Sequence, residues 1–201
     1  MNRLLLLMVL GGLFSTPVVA QSAIIFESGN LGPTGLSRDD LLNSEPSINL
    51  TVSVYGGVRF QLSQPVLITQ VGGHFVDSSN GTLFGAIVAL DDENDFPDSN
   101  DLSTPDVLGN AELIFPVPSD EVFGDLKLSL EPGWYALVFG SGLFGTSGDG
   151  GSPLNNPDIG NPSYVGFQPG AEWFNSTTFP NRRYVVSVRP EIELGLGFPV
   201  K

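Results

Sequence analysis

The densest chemistry in this 201-residue sequence is a run of carboxylates. Asp91, Asp92, Glu93, Asp95, Asp98, Asp101 and Asp106 crowd one stretch, and no Lys or Arg stands between Arg59 and Lys127. Hard cations take several oxygen ligands at close spacing. Asp91, Asp92, Asp95, Asp98 and Asp101, with Asn94 and Asn100, are therefore candidate Ca²⁺ ligands. The EF-hand spacing is absent, and the competing reading is a solvated acidic loop. His74 is the sole histidine. No activated nucleophile can be named beside it, the GxSxG pattern does not occur, and one His cannot build a zinc triad. It reads as a hydrogen-bonded residue at a strand end. Gly140-Ser141-Gly142-Leu143-Phe144-Gly145 fits GxGxxG, but Thr146–Pro153 cannot supply the helix N-terminus that would hold a pyrophosphate. These glycines read as shaping a loop.

Two further patterns bear on sugars. Glycoside hydrolysis needs two carboxyl groups about 5–10 Å apart, and Glu131, Glu172, Glu191 and Glu193 are candidates near strand ends. Aromatic side chains give sugars a broad contact face with a polar handle. Trp134, Tyr135, Tyr164, Trp173 and Phe174 could form such a platform, against the reading that they fill a core. Trp173 and Tyr164 are the ligand-binding candidates, Trp173 being the more exposed because its segment is rich in turns.

The elements that must position these residues are strands. Leu50, Val52 and Val54 alternate with polar positions, as do Val58, Phe60 and Leu62, a period of two. Gly56-Gly57 between them reads as a two-residue hairpin turn. Val66–Val71, Leu83–Leu90, Leu113–Phe115, Leu126–Leu130, Trp134–Phe139, Tyr164–Phe167, Tyr184–Arg189 and Ile192–Phe198 continue the series. Leu83–Leu90 is almost unbroken apolar, as in a strand covered on both faces. Glu131-Pro132-Gly133-Trp134 places Pro and Gly at the centre of a type II turn. Only Leu36–Asn43 reads as helical, with Ser37 as N-cap. The expected fold is all-β: a single antiparallel β-sandwich, jelly-roll-like, from about Ala23 to Phe198.

Composition narrows the function. The chain has 25 Gly, 16 Pro, no Cys, 22 acids and 8 bases. Without Cys there are no disulfides, thiolate zinc sites or cysteine nucleophiles. A net charge of −14 disfavours nucleic acid and anionic membrane surfaces. Met1-Asn2-Arg3, the apolar run Leu4–Leu10 and the small residues Val18 and Ala20 make a three-part export signal over residues 1–20. The domain then occupies 21–201, and no other stretch is long and apolar enough to span a bilayer as a helix.

Several phrases carry a family likeness: Gly57-Val58-Arg59-Phe60, Gly72-Gly73-His74-Phe75, Phe84-Gly85-Ala86-Ile87-Val88, Leu130–Gly142 and Asn155–Tyr164. They resemble a group of exported bacterial proteins that usually carry a PEP-CTERM sorting tail, over most of the chain from about Val54 to Val188. The resemblance implies an exported β-rich domain of no assigned activity, and it transfers no catalytic residue. The chain departs from that group at Arg189-Pro190-Glu191-Ile192, which no spanning stretch follows, so secretion or periplasmic residence is expected. The function expected is a non-catalytic extracellular or cell-surface module, binding polysaccharide or contributing to a matrix. The alternative is a carbohydrate-active hydrolase on the same scaffold.

Overall fold

The computed structural model describes residues 23–37, 39–40 and 47–189. Residues 1–20, read as an export signal, and the expected strand Ile192–Phe198, with Glu191 and Glu193, lie outside the described residues. Ser37 caps as expected: its Oγ accepts from Asp40 N at 3.2 Å, while Asp40 Oδ2 accepts from Ser37 N at 2.8 Å. The remainder of that stretch, to Asn43, lies outside the described residues.

The described residues form twelve strands: β1 (Ala23–Glu27), β2 (Ser47–Leu50), β3 (Tyr55–Leu62), β4 (Val66–Asp77), β5 (Thr82–Leu90), β6 (Val107–Ile114), β7 (Asp120–Leu130), β8 (Gly133–Gly140), β9 (Gly150–Pro153), β10 (Ser163–Phe167), β11 (Phe174–Asn175) and β12 (Tyr184–Val188). One sheet runs β1-β12-β4-β9-β2, with β7 also paired to β4; the other runs β11-β10-β3-β8-β5-β6. Every pairing is antiparallel. From β3 to β10 the chain changes sheet at almost every connection, as jelly-roll chains do. The all-β sandwich expected from the period-two pattern is the observed fold.

Alternation fixes the core. Val58, Phe60 and Leu62 of β3 meet Ile68, Val71 and Phe75 of β4, Leu83 and Ile87 of β5, Leu137 and Phe139 of β8, and Tyr184 and Val186 of β12 between the sheets. A second cluster lies on the outer face of the β11–β6 sheet. There Phe84, Ala86 and Val88 of β5 pack with Ala136 and Val138 of β8 under Leu102 and Trp173. This is why Leu83–Leu90 is continuously apolar: its two faces serve two different clusters.

Two expected turns are corrected. Gly56 and Gly57 lie inside β3, and the tight turn falls earlier, where Thr51 N donates to Val54 O at 3.0 Å. Both glycines are there for close approach. A Cβ on Gly57 would stand 2.6 Å from Leu137 O, and one on Gly56 2.6 Å from Ile48 Cδ1. Glu131–Trp134 is no type II hairpin, because Gly133 does not take the positive φ that turn requires. β7 pairs with β4 whereas β8 pairs with β3 and β5, so Pro132 sits where the chain crosses between the layers.

Candidate functional site

The acidic loop between β5 and β6 uses its carboxylates on its own backbone. Asp95 Oδ2 accepts from Asp91 N and Asp95 Oδ1 from Phe96 N, each at 2.8 Å. Asp92 Oδ1 takes Asn94 N at 2.7 Å, Asp101 Oδ1 takes Ser103 Oγ at 2.7 Å, and Asp106 Oδ2 takes Asp98 N at 2.9 Å. The Ser103 hydroxyl holds the Asp101 carboxyl below its ordinary range. Among the described residues no three carboxylate or imidazole groups converge as metal ligands, so Asp91, Asp92, Asp95, Asp98 and Asp101 are not brought together as one set.

What holds this loop to the sheet is Arg59, a residue given no role in the sequence reading. It is buried in β3, and its Nε donates to Asp95 O at 2.6 Å and its Nη2 to Asn94 O at 3.2 Å. Nη1 reaches Ser163 Oγ at 3.1 Å and Asn175 Oδ1 at 2.8 Å, and the guanidinium lies 4.3 Å over the Phe96 ring. Four of its five donors are therefore satisfied by protein. Burial lowers its proton affinity, and the Asp95 and Asp92 charges oppose that.

The expected exposure of Trp173 is also corrected. The indole is only 8% exposed, packs at 5.5 Å against Phe167, and donates from Nε1 to Ser99 O at 3.1 Å. It and the acidic loop do share one surface, a cleft of about 470 Å³ bordered by Phe96, Asp98, Asn100 and Glu172. Tyr164 is buried as well, and the Arg182 guanidinium covers its ring at 4.1 Å. Its hydroxyl lies 2.6 Å from Asp158 Oδ1 and 2.7 Å from Arg182 O. Burial first, then the Asp158 contact, pushes its phenol well above the ordinary value. Neither ring offers an open face for a sugar. Turn-rich sequence had marked Trp173 as exposed, but the turn folds back over the sheet.

Trp134 is half-buried. It stands at one end of a cleft of about 420 Å³ with Phe26, Glu93 and Ile159. A second cleft of about 340 Å³ extends to Asp158, Asn175, Thr177 and Pro180. The two share Arg59, Asn94, Asn161, Pro162 and Ser163, and so form one groove beside the β3–β10 ladder. Its lining includes the amides of Asn94, Asn161 and Asn175 and the hydroxyls of Ser163 and Thr177, and Asp158 Oδ1 also accepts from Asn181 N at 2.8 Å. Neither Glu131 nor Glu172 lines it. An amide gives a donor and an acceptor side by side, which suits a vicinal diol, while an indole suits the apolar face of a sugar ring. Asn94, Asn161 and Asn175 were invisible to motif reading because they come from three separate segments. The signal available was Arg59, a base set among Val58 and Phe60 in a chain with 8 bases. Comparison with protein-family models, with curated proteins and with solved structures finds no match for this chain.

Proposed function

We propose that the chain is an exported, non-catalytic β-sandwich module that binds extracellular polysaccharide in the groove running from Trp134 to Thr177. The observation that carries this reading is the groove itself: amides at Asn94, Asn161 and Asn175, a hydroxyl at Ser163, and a partly exposed indole at one end. The Arg59 donors are taken up by protein, so the groove favours an uncharged glycan over an acidic one. Export and a PEP-CTERM-type kinship rest on the N-terminal signal pattern and the shared sequence phrases. The hydrolase alternative needs a free acid and a free base across the bound sugar. The lining carboxylates, Glu93 and Asp158, belong to different ends of the groove, and Asp158 already accepts from a backbone amide.

Titration calorimetry against neutral oligosaccharides, with a reducing-end assay on the same samples, tests the proposal. At least one glycan should bind without turnover. Trp134→Ala and Asn161→Ala should each weaken binding about tenfold, roughly the loss of one stacking or hydrogen-bonding contact, with Tm unchanged in Asn161→Ala and lowered in Trp134→Ala, whose indole also packs against the second cluster. Reducing-end release, or binding untouched by both substitutions, overturns it.

A further inference from the structure

Arg182 stands apart from every other base in the described chain. Its side chain is wholly buried, yet its Nε, Nη1 and Nη2 have no hydrogen-bond partner among the described residues. The hydroxyl of Tyr184, equally buried, has none either. The guanidinium rests 4.1 Å from the Tyr164 ring centroid and 5.7 Å from that of Tyr184. A guanidinium does not shed its proton at any working pH. Ring contacts offset only part of the cost of burying it unpaired.

The backbone of Arg182 does the structural work without this side chain. Its N donates to Tyr164 Oη at 3.2 Å and its O accepts from Ser28 Oγ at 2.7 Å. The guanidinium is thus free of any role in the strand ladder. Gly56 packs directly against the guanidinium and the Tyr184 hydroxyl. A Cβ built there would lie 3.3 Å from Arg182 Nη1 and 3.1 Å from Tyr184 Oη, with Ile48 Cδ1 the nearest atom at 2.6 Å. Arg182 also lines a cleft of about 280 Å³ between β2 and the β10–β11 edge, walled by Ile48, Tyr55, Phe167, Phe174 and Phe179.

A planar fork of donors with the Tyr184 phenol behind it, at a cleft whose aromatic wall is joined by Ser47, Asn49, Gln168 and Ser176, complements a small oxyanion with an apolar body. We propose that this cleft binds a small monocarboxylate whose carboxylate group pairs with Arg182 and Tyr184 and whose apolar ring or chain lies against the aromatic wall. The fork matches the two oxygens of a carboxylate. The volume falls just under the roughly 300–1,000 Å³ of sites for drug-sized ligands, so it holds a single ring or a short chain. With Arg182 wholly buried, binding requires the Ile48 side chain, which borders both the cleft and this spot, to turn aside and open the guanidinium to the carboxylate. A sugar acid and a simple aryl or alkyl acid present the same chemistry. The site does not depend on the glycan groove: Arg182 is absent from that lining, and Ser176 is the one residue bordering both clefts.

The test uses the full chain and follows Tm and calorimetric binding. Glucuronate and galacturonate form one arm, phenylacetate and hexanoate the other. Glucose, inorganic phosphate and matched sodium chloride are controls. At least one arm should bind and raise Tm beyond the controls, and the arm that does so identifies the source. Arg182→Met should weaken binding about a hundredfold, the loss of a bidentate charged contact, while leaving Tm unchanged or higher because an unpaired buried charge is gone. Tyr184→Phe should weaken it about tenfold with no loss of Tm. If Arg182→Met does not fold, Tyr184→Phe and Gly56→Ala, which fills the spot between the two groups, still decide the matter. No carboxylate effect beyond sodium chloride, an equal effect from phosphate, or binding that survives these substitutions overturns the proposal. A failure of the neutral-glycan groove leaves these readings untouched.

Discussion

Asn156 fixes the protonation of His74. Asn156 Nδ2 donates to Pro153 O at 2.9 Å and to Asn181 O at 3.3 Å, so its Oδ1 is the atom 2.9 Å from His74 Nδ1. Gly32 N donates to that same oxygen at 3.0 Å. The imidazole must therefore carry its proton on Nδ1, leaving Nε2 bare and without a partner in a fully buried site. Burial lowers the pKa of His74, and the Asn156 contact only partly opposes it. The unfolded chain takes up a proton near pH 6.5, while the folded chain resists to lower pH. The stability tied to neutral His74 is thus complete above about pH 6.5 and falls as pH drops below it, by at most about 1.4 kcal/mol per pH unit. Urea unfolding at pH 7.5 and 5.5 should show this loss in the native chain, and His74→Asn should lack it. Equal pH slopes for the two proteins would sink the idea. The sequence disclosed that His74 is hydrogen-bonded and has no nucleophile beside it. It did not disclose a partner 82 positions away, nor that the residue lies within β4.

At the scale of elements, period-two alternation marked most strands correctly because each strand has one face on the inter-sheet core. It failed where a residue's reason is non-local. Gly56-Gly57 reads as a turn from its neighbours, but its glycines answer to Leu137 and Ile48, which come from β8 and β2. β6 extends from Val107 to Ile114, well beyond the apolar Leu113–Phe115, because Gly109 and the outward Asn110 and Glu112 interrupt the apolar run. The groove amides had no local signature at all. The acidic loop looked uncompensated because its cation, Arg59, lies on β3 and grips backbone oxygens. With its carboxylates capping turns, calcium should raise Tm no more than magnesium or sodium chloride at equal ionic strength. A calcium-specific rise of several degrees would mean that the loop rearranges to gather its aspartates. Arg59→Met, which leaves two loop carbonyls and Asn175 without their donor, should cost about 2–4 kcal/mol, in the range for breaking a buried charged network. It should also speed proteolysis at Glu93. An unchanged unfolding midpoint together with an unchanged cleavage rate would refute the clamp.

Among the described residues, three of the five bases lie inside. Of 8 bases, Arg59, Arg182 and Arg183 are at most 6% exposed. Arg183 joins Glu27 of β1, at 2.5 Å, to Glu121 of β7 and to the Gly29 carbonyl. Arg189, by contrast, makes a solvent-exposed pair with Asp125 at 3.3 Å. The interior pairs are shielded from salt, whereas the outer surface carries most of the 22 acids with little to balance them. Its self-repulsion is long-ranged at low salt, since the screening length is about 30 Å at 0.01 M and about 8 Å at 0.15 M. Adding sodium chloride should therefore stabilise the fold by relieving repulsion without loosening the buried arginines. For a chain of this size each 1 kcal/mol recovered raises Tm by about 2–4 °C. A rise of at least about 3 °C between 0.01 and 0.2 M, equal for sodium and potassium chloride, is the expected outcome by calorimetry. A Tm that falls with salt would show that exposed pairs such as Arg189–Asp125 outweigh the repulsion, and would reverse this account of how the charge is distributed.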